Sequence, residues 1–227
     1  MDRNKSVESY LYSLDRERIV RLVMKMGLMV DSALEDAIRA FTESDGALAE
    51  KVVSGDDEVD AVEEEVDLEC LRSIAMRQPV REELRFVFAV LKTITDLERI
   101  GDESVNIARW AVSLKKYPRT PVNPTLLRMQ DVARGMLRDA LEVFSTSNGD
   151  MSAEICRRDD QLDRMYSIVF EEFIDQMASP GSGDANTIRA VAGQMWMARH
   201  LERIGDHVTN IAERVYFMDK GKTLAKE

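Results

Sequence analysis

Apolar residues recur at spacings of three and four along most of this 227-residue chain, which places them on one face of an α-helix. In the first run, over residues 14–41, Ile19, Leu22, Val23, Met26, Val30 and Leu34 form the stripe, and Thr42-Glu43-Ser44-Asp45-Gly46 ends it. A second run, over 47–77, turns Val59, Val62, Val66 and Ile74 inward. A third, over 81–116, does the same with Val87, Val90, Leu91, Ile94, Leu97 and Val105. Runs over 126–146, 151–177 and 186–218 then repeat the first three in order. No alternating apolar stretch is long enough for a strand. The five prolines fall where runs must stop: Pro79 after the second, Pro118, Pro121 and Pro124 between the halves, and Pro180 in Pro-Gly-Ser-Gly. The pattern predicts an all-α chain built as two tandem three-helix bundles, 1–117 and 118–227, joined near 116–123.

The third and sixth runs share more than a period. Leu97-Glu98-Arg99-Ile100-Gly101-Asp102 returns as Leu201-Glu202-Arg203-Ile204-Gly205-Asp206, and Asn-Ile-Ala follows at the same distance in both. Six identical residues in register mark an internal duplication. Residues four apart on a helix lie about 6 Å apart along its axis. Glu98, Asp102 and Asn106 thus form one oxygen-bearing stripe, and Glu202, Asp206 and Asn210 form its twin. Like charges at this spacing weaken a helix by a few tenths of a kcal/mol. A mid-helix glycine costs about 0.8–1 kcal/mol relative to alanine. Both penalties recur in both copies, so a compensating interaction is expected.

Helical projection sets the carboxylates at the edge of the apolar face. The second and fifth runs align Asp56 and Asp60 with Asp159 and Asp163, again carboxylates at i and i+4. If these pairs face the repeated motif, each bundle carries four clustered carboxylates. Such a cluster either raises its pKa values or recruits a cation. Oxygen donors suit hard ions such as Mg²⁺, Ca²⁺ and Mn²⁺, and also iron. The plainer alternative is a solvated acidic face, and Glu63-Glu64-Glu65 is read that way. Arg99 and Arg203 are placed to neutralise the patch or meet a partner. His200 and His207 replace Asp96 and Glu103 of the first copy and read as surface or capping residues, with His207 able to join the second site.

Composition narrows the partners. The net charge of −11 disfavours nucleic acid, whose phosphates need a basic surface. Cys70 and Cys156 lack metal-type spacing and read as small buried hydrophobes in a reducing, cytoplasmic compartment. No run reaches the ~18 apolar residues of a membrane span, and the first residues lead into no signal-peptide core. The sequence carries no glycine-rich phosphate loop, no HExxH and no Ser/His/Asp motif. Di-iron bundles use Glu-x-x-His pairs, but Met197 and Ile204 stand three residues before the two histidines. A non-enzyme is expected. The alternative is a carboxylate-bridged metal enzyme or iron-handling protein on a helical bundle.

The repeated E-R-I-G-D-x-x-x-N-I-A, the two DxxxD pairs and the Gln78-Pro79 break resemble the PhoU family of phosphate-uptake regulators over essentially the whole chain. The family's E(D)xxxD metal motif falls on Glu98/Asp102 and Glu202/Asp206. The resemblance implies two three-helix bundles with iron or zinc at their acidic patches. It also implies a negative regulator of the phosphate starvation response, acting between the phosphate ABC transporter ATPase and a membrane sensor histidine kinase. Such a protein touches the membrane only through its partners, and a homodimer is the expected assembly. One departure is Arg109, which stands where the second copy has Glu213; it is expected to weaken the first patch.

Overall fold

The computed structural model describes residues 2–117, 120–179 and 184–225, with side chains from residue 10 onward. Among the described residues, seven α-helices appear in the order α1 (Asp2–Glu43), α2 (Gly46–Ser54), α3 (Asp56–Arg77), α4 (Glu82–Leu114), α5 (Pro124–Thr146), α6 (Ser152–Ala178) and α7 (Ala185–Lys220). A single 3-10 turn, Gly149–Met151, precedes α6. The described residues contain no strand. Pro118 and Pro180, and with Pro118 the division placed between 117 and 118, lie outside the described residues.

Helix α1 starts well before its apolar stripe. Its early turns are anchored on the rest of the chain: Tyr12 is buried, and its hydroxyl donates to the Glu83 carbonyl at 3.2 Å. Burial pushes that phenol up to about 12. Arg16 lies 4.2 Å from the centre of the Phe86 ring and donates to Ser147 Oγ at 2.8 Å, tying α1 to the second half.

The second run is two helices rather than one. The Gly55 N–H reaches the carbonyls of both Lys51 and Val52 and closes α2. Asp56, Asp57 and Glu58 then open α3, where acidic groups are favoured by the positive end of the helix dipole. Val52 and Val59 both stay buried across the break, so the apolar period conceals it. Helix α3 ends as Gln78 takes a left-handed conformation before Pro79, its N–H bonding the Ile74 carbonyl at 3.0 Å.

The bundle of α1, α3 and α4, with α2 inserted, and the bundle of α5, α6 and α7 share one continuous core. Antiparallel α4 and α7 form its centre. Phe88 meets Phe217 edge-on at 6.1 Å, and Trp110 stacks on Trp196 at 6.1 Å. Ile100 and Ile204, from matching positions of the repeat, are fully buried. Helices α1 and α5 pair alongside, with Gly27 leaving room for Leu141. Asp31 binds both Arg134 and Arg138, at 3.1 and 3.2 Å, and Glu35 also binds Arg134.

Candidate functional site

On α4 the motif residues divide by face. Leu97, Ile100, Gly101 and Val105 are buried, while Glu98 and Asp102 sit half-buried at the rim. Helix α3 brings Asp56, half-buried, and Asp60, exposed, to the same rim. Asp56 is raised above the usual carboxylate range by burial and by the charges of Asp60 and Asp102; Arg109 acts in the opposite direction. Glu98 is raised by burial and by Asp102, with Arg99 opposing and Asp60 and Asp56 contributing further. The four carboxylates named from the spacing therefore act on one another across the α3–α4 seam.

A fifth belongs with them. Glu63 is half-buried, not solvated, and burial together with the charges of Glu98, Asp67 and Asp60 lifts it to about 7. The signal was in the sequence: Asp56, Asp60, Glu63 and Asp67 follow the same three-and-four period as the apolar stripe. Arg99 spans the patch edge, 3.4 Å from Glu98 and 3.2 Å from Asp102.

The second patch follows the same plan more tightly. Burial, then the charge of Asp163, lifts Asp159 to about 6, with Asp206 adding to the effect. Asp163 is raised by burial and by Asp206. Glu202 is raised by burial, offset by Arg199 at 2.5 Å, and raised further by Asp206 and Asp163. Asp159 Oδ1 and Glu202 Oε2 are buried with no hydrogen-bond partner. The Thr209 hydroxyl is near enough to favour ionised Asp159 but does not meet hydrogen-bond geometry. Two orphaned carboxylate oxygens carry a desolvation penalty that a cation would relieve. Among the described residues, no three His, Cys, Asp or Glu side chains converge closely enough to enclose an ion as they stand. The donor set is thus an open surface of oxygens.

The repeated glycine admits this approach of helices. A Cβ on Gly205 would lie 2.6 Å from both Asp159 Oδ1 and Leu162 Cδ2. Only a residue without a side chain lets α6 press its carboxylate onto α7. At Gly101 the same construction meets Val59 at 3.8 Å and Asp56 Oδ1 at 4.0 Å, which is ordinary contact.

The histidines pair across α4 and α7. His200 is buried, contrary to the surface position expected for it, with Nδ1 2.5 Å from Glu103 Oε2. Glu103 is itself buried and also pairs with Arg203 at 2.9 Å. His207 Nδ1 lies 3.0 Å from Asp96 Oδ1, which also accepts from Asn210 Nδ2 at 3.0 Å. Each histidine of the second copy thus pairs with an acid of the first, at the position where the other histidine's counterpart stands. Antiparallel α4 and α7 bring those two positions together, a juxtaposition that sequence spacing alone does not reveal. Asn106 Oδ1 accepts from Arg109 at 3.4 Å, whereas the hydrogen bond of Asn210 uses its Nδ2 and not its oxygen.

These features define a duplicated all-helical bundle protein with an acidic, oxygen-lined patch on each half. The PhoU domain matches residues 23–111 and again 126–215. The chain is 35% identical over 225 residues to the phosphate-specific transport system accessory protein PhoU of Escherichia coli, covering 98% of this chain and 90% of that one. It is 34% identical over 214 residues to the PhoU homologue of Pseudomonas putida, covering 94% and 82%. The crystal structure of PhoU from Pseudomonas aeruginosa matches with a TM-score of 0.85 at 32% identity, over 93% of this chain and all of that one. The phosphate transport system regulatory protein PhoU from Streptococcus pneumoniae gives the same TM-score at 26% identity, over 95% and 100%. The chain belongs to the PhoU family.

Proposed function

We propose that this protein is a non-enzymatic regulator that restrains phosphate uptake and the phosphate starvation response. The observation that carries the reading is the PhoU match over both halves, with relatives named as phosphate-specific transport system accessory proteins. In this reading Glu98, Asp102, Asp56 and Asp60 hold metal on the first half, joined by Glu63. Glu202, Asp206, Asp159 and Asp163 hold it on the second. Iron or zinc are the ions favoured, and bound metal would supply positive charge that neutralises each patch and fixes its shape. The orphaned oxygens of Asp159 and Glu202 support this assignment. The engagement of both histidines across α4 and α7 leaves the patches an oxygen donor set, which on its own suits Mg²⁺, Mn²⁺, Ca²⁺ or iron; zinc enters through the family resemblance.

The partners proposed are the phosphate transporter ATPase and a sensor histidine kinase, met at the cytoplasmic membrane face by a homodimer of this chain. No helix among the described residues is long and apolar enough to cross a membrane, so membrane association is assigned to those partners. The test is a reporter fused to a phosphate-starvation promoter, read in ample phosphate. Deleting the gene should switch the reporter on, and the wild-type gene should switch it off again. A reporter that stays silent in the deletion strain would reject the regulator reading.

A further inference from the structure

The two halves also correspond through their first helices, with second-half numbers larger by 103: Leu34 with Leu137, Asp36 with Asp139, Phe41 with Phe144, Gly46 with Gly149. The structure keeps the register. Ser44 and Ser147 both have positive φ, at 57° and 53°, and the next residues, Asp45 and Asn148, both cap through their side chains. In this register Gly55 stands where the second half has Arg158, and Ser32 where it has Gly135.

Those exchanges change the surface between the first and second helices of each half. In the second half Arg158 lies against Gly135, so closely that a Cβ there would collide with the guanidinium. It pairs with Asp139 and reaches the Val132 carbonyl at 3.4 Å. The first half has no arginine at this position. Its matching surface is an open groove of about 750 Å³, whose lining includes Met29, Ser32, Asp36 and Gly55, the counterparts of Val132, Gly135, Asp139 and Arg158. Met24 and Leu28 add an apolar wall, and Leu28 is 63% exposed, unusual for a leucine on a packed helix.

We infer that this groove docks a helix of a partner protein, which supplies from outside the arginine that the second half supplies from within. Its guanidinium would pair with Asp36, and neighbouring apolar side chains on the same helix face would cover Met24, Leu28 and Met29. An arginine side chain alone is too small for the groove, whereas a helix lays residues from successive turns into it. Asp36 is held meanwhile by Arg39 and Lys51, at 3.0 and 3.1 Å. Both cations are largely exposed, and exposed pairs of this kind are weak and readily exchanged. Arg39 reaches Asp36 through a single nitrogen, whereas a guanidinium presented from the groove could engage the sheltered carboxylate with two. Arg21 and Lys25 line the groove from α1 and favour an acidic residue on the docked helix, while Asp56 and Glu58 line it from α3, where the groove meets the first acidic patch, and favour a further basic one. As the place where a regulatory partner docks, the groove rests on the regulator reading; its preference for a guanidinium is tested without it.

The experiment uses the full chain with ¹³C-methyl methionine, Met24 and Met29 being assigned by M24L and M29L. Octylguanidinium is the probe, and octanoate the comparison. Octylguanidinium should shift both methionine signals saturably, and octanoate at least tenfold more weakly. Gly55→Arg should weaken octylguanidinium binding at least tenfold, because the new side chain would fill the groove as Arg158 does. Its α-helical conformation, with φ −85°, suits arginine, so its circular dichroism should match wild type. Should G55R fail to fold, D36N must show the same loss. Stronger binding of octanoate would make the groove a site for anionic amphiphiles and overturn the proposal. Unchanged affinity in G55R and D36N, or no shift with either probe, would do so as well. Binding that fades with rising protein concentration would assign the groove to a second copy of the chain, with the same consequence. None of these failures touches the regulator reading, since the assay contains no phosphate system.

Discussion

Alanine substituted for each glycine of the repeated motif should change stability in opposite directions. Both positions lie inside helices, where alanine gains about 0.8–1 kcal/mol over glycine. At Gly101 the nearest atoms to a new Cβ are 3.8–4.0 Å away, so the gain is retained and G101A should be more stable by roughly 0.5–1 kcal/mol. At Gly205 two atoms stand at 2.6 Å, one of them on Leu162, which is fully buried. Overpacking of this kind costs about 1–3 kcal/mol, so G205A should be destabilised by roughly 1 kcal/mol after the propensity gain. In a chain of this length 1 kcal/mol moves Tm by about 2–4 °C. The two variants should therefore bracket wild type in urea or thermal unfolding monitored at 222 nm with chelator present. Equal shifts of the same sign would refute the claim that the second half holds α6 against α7 more closely than the first holds α3 against α4.

Other consequences are equally open to measurement. Glu63 and Asp159 have pKa values raised in the fold, so the native state holds protons there that the unfolded chain has released; metal-free protein should lose stability as pH climbs from the ordinary carboxylate range to about 7, and E63Q should flatten that slope in chelator-treated unfolding curves. Glu103→Ala leaves buried His200 and its half-exposed neighbour Arg203 without their shared carboxylate; unfolding should become easier by about 1–3 kcal/mol, the usual cost of leaving a buried polar group without its partner. Burial pushes the Cys70 thiol to about 12, so native protein treated with iodoacetamide should show no modification of Cys70 by mass spectrometry. In the phosphate reporter strain, D206A should derepress more than D102A, because Arg109 already offsets charge near the first patch.

The six apolar runs carry the all-helical class and the order of the long helices, because burial of one helix face leaves a periodic trace. The break at Gly55 left none: it falls between Val52 and Val59, both of which remain on the buried face. The patch carboxylates were legible for the same reason as the core, since residues four apart share a face and Asp56, Asp60, Glu98 and Asp102 each do so. Glu63 was legible too, but its place in a run of three glutamates made it look solvated. His200 could not be placed from its own helix. Its burial depends on Glu103, which comes from another helix at a distance of 97 residues in sequence. The open groove beside Gly55 likewise becomes visible only when the two halves are compared in three dimensions, because what marks it is an arginine present in one half and missing from the other.

Metal content tests most directly whether the acidic patches are binding sites. Purified wild-type protein, stripped with chelator, incubated separately with Fe²⁺, Zn²⁺ or Mn²⁺ and then freed of unbound ion, should retain metal measurable by elemental analysis. D102A and D206A should each retain less, and the double variant should retain almost none while keeping its helical circular dichroism. A folded double variant that binds as much metal as wild type would contradict the assignment of these carboxylates.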